Sequence, residues 1–287
     1  MSGSIVWLAS YPKSGSTWFR AFISNLIGAA DNRPVSINSL VGRGAAERTV
    51  FDNLTGIDSG NLFPGEAEAL LPVFYTKLAQ DTDGILWLKT HDTYRYLSDQ
   101  TPVYPMKATR CTIYLIRNPL DVAPSFARHM GIDIDQSIQW LNEEGFVLNK
   151  ELLNSTHNLS QQWSSWSGNV VSWLNAPPGM NVHLVRYEDL KNAPVATFTQ
   201  AVVAIGLEKT VEEIRQAIEH SSFMALQNQE KKEGFREKPV HSGVFFYKGE
   251  SGSWRTELSC EQVAAIVEKH GDLMRCFGYL DSRGNPV

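Results

Sequence analysis

Residues 5–20 read Ile5-Val-Trp-Leu-Ala-Ser-Tyr-Pro-Lys-Ser-Gly-Ser-Thr-Trp-Phe-Arg20, which predicts a buried strand, a tight loop and the start of a helix. The loop contains Lys13, Ser14, Gly15, Ser16 and Thr17. Such a loop gathers backbone N–H groups, hydroxyls, an ammonium and the positive end of a helix dipole, an arrangement typical of phosphate sites. The structural alternative is a capped amphipathic helix with Trp18 in the core.

The position of the lysine distinguishes this loop from the ordinary nucleotide loop. In the Walker pattern G-x-x-x-x-G-K-[ST], the lysine follows the last glycine. Here Lys13 precedes Gly15, and the complete Walker pattern occurs nowhere in the chain. Trp18 follows directly and offers a flat face for stacking on a base.

The composition excludes several classes of protein. With 287 residues, 43% hydrophobic and 20% charged, the chain fits one large globular domain or two small ones, and we expect a single domain spanning residues 1–287. A net charge of −5 argues against a nucleic-acid partner. We expect no membrane partner and a cytoplasmic location, because there is no signal peptide and no apolar run of about 18 residues. Three widely spaced cysteines, Cys111, Cys260 and Cys276, predict reduced, buried thiols without a metal site.

Short apolar segments alternate with helical patterns along the chain. The predicted strands are residues 5–9, 85–89, 111–117 and 182–186. The predicted helices are residues 17–26, 120–129, 160–174, 193–205 and 261–277. Strands that are apolar on both faces and alternate with helices predict an α/β fold, a central parallel sheet flanked by helices.

The ends of the predicted strands carry basic or hydrogen-bonding residues. They are Lys13, Lys89 with His91, Arg117 and Tyr187. Because ligands of α/β folds bind at the carboxyl ends of parallel strands, we expect these side chains to line one site. The tryptophans of helix 160–174 have helical spacing and favour the core. Segments 30–65 and 230–252 lack periodicity, which is typical of a lid near a site or of a surface connection.

Three further patterns suggest chemistry, each with a structural alternative. His91 beside two lysines should be neutral and a competent general base, although most histidines at strand ends have no catalytic role. Arg117 and Ser125 could face one phosphate, or Arg117 could pair with Asp121. The segment with Lys248 and Gly249 could close over a phosphate or form a solvated turn.

Taken together, these motifs resemble the sulfotransferase family that uses 3′-phosphoadenosine 5′-phosphosulfate (PAPS), in its cytosolic form. Residues 11–18 resemble its 5′-phosphosulfate loop Y-P-K-S-G-T-T-W, and residues 117–125 resemble its 3′-phosphate segment R-N-P-x-D-V-x-x-S. Residues 89–91 match K-T-H, 187–190 match Y-E-D-L, and 247–254 are similar to R-K-G-x-x-G-x-W. Tyr247 stands where the family usually has arginine. The compact chain looks more like a bacterial enzyme than a membrane-anchored one.

The resemblance implies a P-loop-like fold and transfer of a sulfuryl group from PAPS to a hydroxyl or phenol of a small molecule or natural product. Adenosine 3′,5′-bisphosphate (PAP) would be the product, and no metal would be needed. His91 would be the general base, Lys13 would stabilise the leaving phosphate oxygen, and Lys89 would steady the transferring oxygens. The implied nucleotide contacts are Lys13, Ser14, Gly15, Ser16, Thr17, Trp18, Arg117, Ser125, Tyr187, Phe223, Lys248 and Gly249. Among these, Trp18 and Phe223 would sandwich the adenine.

Two other functions remain open from the sequence. An ATP-dependent P-loop kinase would need a Walker lysine and a carboxylate for Mg²⁺, and neither is visible. A non-catalytic protein that binds PAP or another nucleotide would keep the loop without the chemistry. The sequence indicates neither the acceptor nor the oligomeric state.

Overall fold

The computed structural model describes residues 3–28, 33–149 and 157–287. Within them, five parallel strands form one sheet in the order β2-β3-β1-β4-β7, and β5 and β6 form a separate antiparallel pair. The strands are β1 Ser4–Ser10, β2 Arg43–Gly44, β3 Ile85–Thr90, β4 Thr109–Ile116, β5 Val147–Leu148, β6 Gln161–Gln162 and β7 Val182–Arg186.

Helices connect the strands. They are α1 Ser16–Gly28, α2 Arg48–Thr55, α3 Pro64–Gln80, α4 Pro119–Met130, α5 Ile134–Asn142, α6 Trp166–Leu174, α7 Tyr187–Asn192, α8 Pro194–Ile205, α9 Val211–His220, α10 Phe223–Glu233, α11 Trp254–Glu257 and α12 Cys260–Cys276. None of the described helices has both the length and the apolar character needed to cross a membrane.

The core lies on both faces of the sheet. Alternate residues of a strand point to opposite faces, so Trp7 packs on one side with Tyr75, and Leu8 packs on the other in the cluster that contains Phe22 and Phe198. Because both faces are covered, β1 is apolar throughout residues 5–9, all of which are fully buried. The predicted α/β fold with a central parallel sheet is therefore confirmed.

The strand order places the loop after β1 at the centre of the sheet edge. β1 pairs with β3 on one side and with β4 on the other, so the connections diverge at its carboxyl end. Open α/β sheets bind ligands at such a point. Residues 11–15, between β1 and α1, lie there.

The predicted helix 160–174 is wrong in its first half. Ser164 has a positive φ of 57°, which is incompatible with a helix, and Ser165 caps α6 by accepting from the Gly168 N–H at 3.1 Å. Residues 161 and 162 instead form β6. The tryptophans of this region are nevertheless buried, as predicted; they are Trp163, Trp166 and Trp173.

Three other expectations are corrected or refined. Segment 30–65 contains β2 and α2, although residues 30–32 lie outside the described residues. Segment 230–252 begins as the end of α10 and is irregular only from residue 234. All three cysteines are free, but only Cys111 is buried, because Cys260 and Cys276 lie at the exposed ends of α12.

Candidate active site

A cavity of about 880 Å³ opens at the carboxyl edge of the sheet. It brings together all but one of the predicted site residues: Lys13, Gly15, Ser16, Thr17, Trp18, Lys89, His91, Arg117, Ser125, Tyr187, Phe223, Lys248 and Gly249. The exception is Ser14, whose side chain is fully buried beneath the loop and does not line the cavity. Its Oγ has no hydrogen-bond partner among the described residues.

The loop after β1 has an unusual backbone. Lys13 has a positive φ of 67° and Gly15 a φ of 100°. A Cβ at residue 15 would lie 2.7 Å from the ring of Tyr187, so only glycine fits there. Since α1 begins at Ser16, its first N–H groups lack partners within the helix and are available to an anion.

Lys13 lies in a strongly positive environment. Burial, and then the charges of Lys89, Arg117 and Arg128, lower its pKa to about 7. Its Nζ lies 4.5 Å from the ring centroid of Phe245. An anion in the cavity would relieve the repulsion among these cations.

The hydrogen bonds of His91 define its tautomer. Its Nδ1 lies 2.8 Å from the carbonyl oxygen of Ser10, which can only accept, so Nδ1 carries the proton and Nε2 keeps the lone pair. Burial and the charge of Lys89 hold the pKa of His91 well below its usual value. Asn169 donates to the His91 carbonyl oxygen at 2.8 Å and holds the backbone in place.

Lys89 lies at the end of β3, where burial and two neighbouring charged residues affect its pKa. Burial and the charge of Arg20 lower its pKa, while Glu237 acts in the opposite direction. Glu237 also accepts from Arg20, with 2.8 Å between Nη1 and Oε2. Arg20 thereby links α1 to the irregular segment that contains residue 237.

Arg117 connects the loop after β1 to the opposite wall. Its Nη1 donates to the Lys13 carbonyl oxygen at 3.2 Å and its Nη2 to the Glu250 carbonyl oxygen at 2.9 Å. The guanidinium lies 4.4 Å from the ring centroid of Tyr187. Its buried Nε has no partner among the described residues.

Asp121 holds the segment that follows Lys248 and Gly249. Its carboxylate accepts from the N–H groups of Gly252 at 2.7 Å and Trp254 at 3.1 Å, and not from Arg117. Among the described residues, Arg117 and Asp121 therefore do not form the ion pair that the sequence left as an alternative.

Two aromatic residues that line the cavity have different surroundings. Trp18 packs edge-on against Tyr187 and Phe198, with centroid distances of 5.6 and 5.8 Å. Phe223 lies so close to Gly249 that a Cβ there would be 2.3 Å from its ring. Glycine at 249 thus leaves space for Phe223.

The sequence prediction did not include several cavity residues: Arg128, His129, Glu237 and Phe245. A signal existed for the first two, because they follow Ser125 by three and four residues and so share its helix face. Burial and the charges of Lys13 and Lys89 lower the pKa of His129 to about 3. Residues 237 and 245 lie in the irregular segment, where no periodicity exists to indicate them.

Comparison with known proteins identifies the family of this chain. The family model "Sulfotransferase domain" matches residues 4–278. The chain is 25% identical over 267 residues to "Sulfotransferase 6B1" of Gorilla gorilla gorilla, covering 91% of this chain and 73% of that protein. It is 24% identical over 273 residues to "Flavonol 4'-sulfotransferase" of Flaveria chlorifolia, covering 91% and 76%.

A solved structure supports the same fold. The mouse sulfotransferase SULT7A1, complexed with PAP, superposes with a TM-score of 0.61 at 18% identity, over 97% of this chain and 88% of that one. Since the family model covers nearly the whole chain, this protein belongs to the sulfotransferase domain family.

Proposed function

We propose that this protein transfers a sulfuryl group from PAPS to a hydroxyl of a small-molecule acceptor, with His91 as the general base. The observation that carries the proposal is the 2.8 Å hydrogen bond from His91 Nδ1 to the Ser10 carbonyl, which leaves Nε2 as a basic nitrogen. His91 lines the same cavity as Lys13 and Lys89. Family membership supports sulfuryl transfer as the reaction.

The cavity suits a nucleotide with two phosphate groups. Its volume of about 880 Å³ lies within the usual range of ligand pockets. Cations reach it from separate elements, including Lys13, Arg117 and Lys248. The unpartnered Nε of Arg117 is a buried donor in need of an acceptor. Trp18 and Phe223 supply aromatic faces for a base.

In the proposed reaction, the acceptor oxygen forms a bond to sulfur as the bond between sulfur and the 5′-phosphate oxygen breaks. His91 Nε2 takes the proton of the acceptor hydroxyl. Lys13 and the N–H groups at the start of α1 stabilise the charge that develops on the leaving oxygen. Lys89 steadies the oxygens of the transferred group, because positioning and charge dominate a loose in-line transfer.

The proposed acceptor is a small, largely apolar alcohol or phenol. The cavity that His91 lines also has aromatic and aliphatic walls, including Trp163, Met130 and Leu148, and the centroid of the Trp163 ring lies 5.9 Å from that of His91. Apolar pockets with a few polar groups favour ligands of this kind. Relatives of this chain include proteins named for flavonols and for luciferin.

Replacement of His91 by alanine tests the proposed base. We expect His91→Ala to abolish transfer of labelled sulfate to a phenol, while PAP still raises the melting temperature as in the wild type. His183→Ala is the matched control, since His183 lies on β7 and does not line the cavity. Equal transfer rates for His91→Ala and the wild type would remove the residue from this role.

The same assays separate the remaining alternatives. Stabilisation by PAP, but not by ATP with or without Mg²⁺, would favour the proposed donor over a kinase substrate. Transfer of sulfate to a phenol would then exclude a protein that only binds the nucleotide.

A further inference from the structure

Arg128 lies next to the residue that departs from the family pattern. Tyr247 occupies the position at which that pattern has arginine, so one cation is missing beside Lys248. The Arg128 guanidinium lies 4.8 Å from the centroid of the Tyr247 ring, and the Nζ of Lys248 lies 5.5 Å from the same centroid. The tyrosine ring therefore contacts two cations that come from different elements.

Arg128 shares its helix face with Ser125. The two residues are three positions apart on α4, which places them as neighbours on the helix surface, and both line the cavity. The charge of Arg128 also contributes to the lowered pKa of Lys13. Arg128 thus belongs to the same positive region as the loop after β1. We call Arg117, Arg128 and Lys248 the cationic cluster.

One carboxylate balances part of this cluster. Glu257 is 15% exposed and pairs with both Arg128 and Lys248, the latter at 2.9 Å. Three cations and one carboxylate leave about two positive charges, which matches a phosphate monoester near pH 7. Without Arg128, Lys248 and Glu257 would neutralise each other, and Arg117 alone would face the anion.

Arg128 also has N–H donors beyond the one that its ion pair with Glu257 uses. Its ion pair with Glu257 is made by Nη1, and a guanidinium has five N–H donors in a planar fork. A second acidic residue, Glu250, also lines the cavity. It is exposed, and its hydrogen bond to the cationic cluster is made by its backbone carbonyl, which accepts from Arg117.

We propose that Arg128 binds the 3′-phosphate of the nucleotide and takes the place of the arginine absent at position 247. Tyr247 positions the guanidinium by stacking against it. This inference rests on the proposed function, because it requires PAP as the ligand. It predicts that discrimination for the 3′-phosphate depends on helix α4 and not only on the segment around Lys248.

The test compares PAP with 5′-AMP, which lacks the 3′-phosphate, by isothermal titration calorimetry. Arg128→Ala should weaken PAP binding by about tenfold or more, the scale of a lost charge-assisted interaction, and change 5′-AMP binding by less than about twofold. Arg255→Ala is the matched control, because Arg255 is an exposed arginine outside the cavity lining, and both affinities should stay unchanged. Arg128→Gln gives the same readout if the alanine variant loses stability.

A second variant tests the replacement directly. The double variant Arg128→Ala/Tyr247→Arg should recover the preference for PAP over 5′-AMP. Equal weakening of both nucleotides by Arg128→Ala, or no weakening, would overturn the inference while leaving the proposed function intact, and so would failure of the double variant to recover the preference. If the wild type itself does not bind PAP, the proposed function fails, and this inference fails with it.

Discussion

Lys13 shows how the cavity changes the chemistry of a single side chain. Burial and three neighbouring cations lower its pKa to about 7, so in the free protein it is only partly protonated near neutral pH. Lys13 lies in the loop after β1 with a left-handed backbone, at a φ of 67°. This conformation is strained for a residue that has a side chain. Strain of this kind is common at functional sites. An anion next to this ammonium would raise its pKa again.

This leads to a prediction about the pH dependence of nucleotide binding. The proposed role of Lys13 at the 5′-phosphate requires a charged ammonium, so PAP affinity should fall as the pH rises from 7 to 9, with proton uptake on binding. Calorimetry in buffers of different ionisation enthalpy measures that uptake. Lys13→Arg keeps its charge throughout this range and should show a smaller pH dependence. The same slope in both proteins would contradict the assignment to Lys13.

At the scale of elements, the strand–loop–helix from Ser4 to Gly28 depends on the close approach of the Gly15 backbone to the Tyr187 ring. Gly15 lies against the Tyr187 ring, which follows β7, so the loop after β1 and the start of α7 are fitted to each other. Gly56, the C-cap of α2, also has a positive φ, of 71°, but no atom lies within 4 Å of its ideal Cβ. A side chain at Gly56 would therefore cause backbone strain alone, whereas one at Gly15 would also collide with the Tyr187 ring.

We predict that Gly15→Ala destabilises the protein and greatly weakens PAP binding. Its Cβ would lie 2.7 Å from the Tyr187 ring, so the loop or the ring must move. Gly56→Ala should lower the free energy of unfolding by about 1 kcal/mol, the strain of a left-handed alanine, and leave PAP binding unchanged. Thermal unfolding with and without PAP measures both effects. Wild-type PAP binding by Gly15→Ala would be the contrary result.

Elements governed by local patterns could be predicted, and those governed by distant contacts could not. The strand and loop at residues 5–17 follow from consecutive apolar residues and a glycine at a fixed spacing. The segment with Phe245 has no such pattern. It is held by the carboxylate of Glu230, which accepts from the N–H groups of Phe245 at 2.6 Å and Phe246 at 2.9 Å. The left-handed Ser164, which delays the start of α6, likewise has no signal in its residue type.

For the whole molecule, charge is distributed unevenly. The net charge is −5, yet the cavity collects Lys13, Lys89, Arg117 and Arg128 from separate elements. A negative protein with a positive cavity can still attract anionic ligands locally, because low-dielectric walls focus the field there. Overall charge therefore gave no information about the ligand of the cavity.

Four histidines that are fully or partly buried predict how stability depends on pH. The pKa is lowered to about 3 for His129 and to about 4 for His270, and it is also lowered for His91 and His183, in each case first by burial. Below pH 6.5 the unfolded chain takes up protons that these folded histidines do not, so stability should fall as the pH falls. Asp92, whose burial raises its pKa to about 6, opposes this effect but is outnumbered.

The urea midpoint should accordingly be lower at pH 5.5 than at pH 7.5, with the same slope of unfolding free energy against urea. A midpoint that stays constant or rises over this range would show that the histidines do not control acid stability.

The strand order has a consequence for synthesis on the ribosome. β1 emerges before the other strands of the sheet, yet its two neighbours are residues 85–90 and 109–116. At the usual speed of translation, roughly 5 to 20 seconds pass before both are available. During that interval the nascent chain carries an apolar strand with no partner, which is a target for chaperones and a risk for aggregation. Chains that terminate before β4 should therefore be insoluble, and the segment that forms the centre of the finished sheet is the one most in need of protection while it is made.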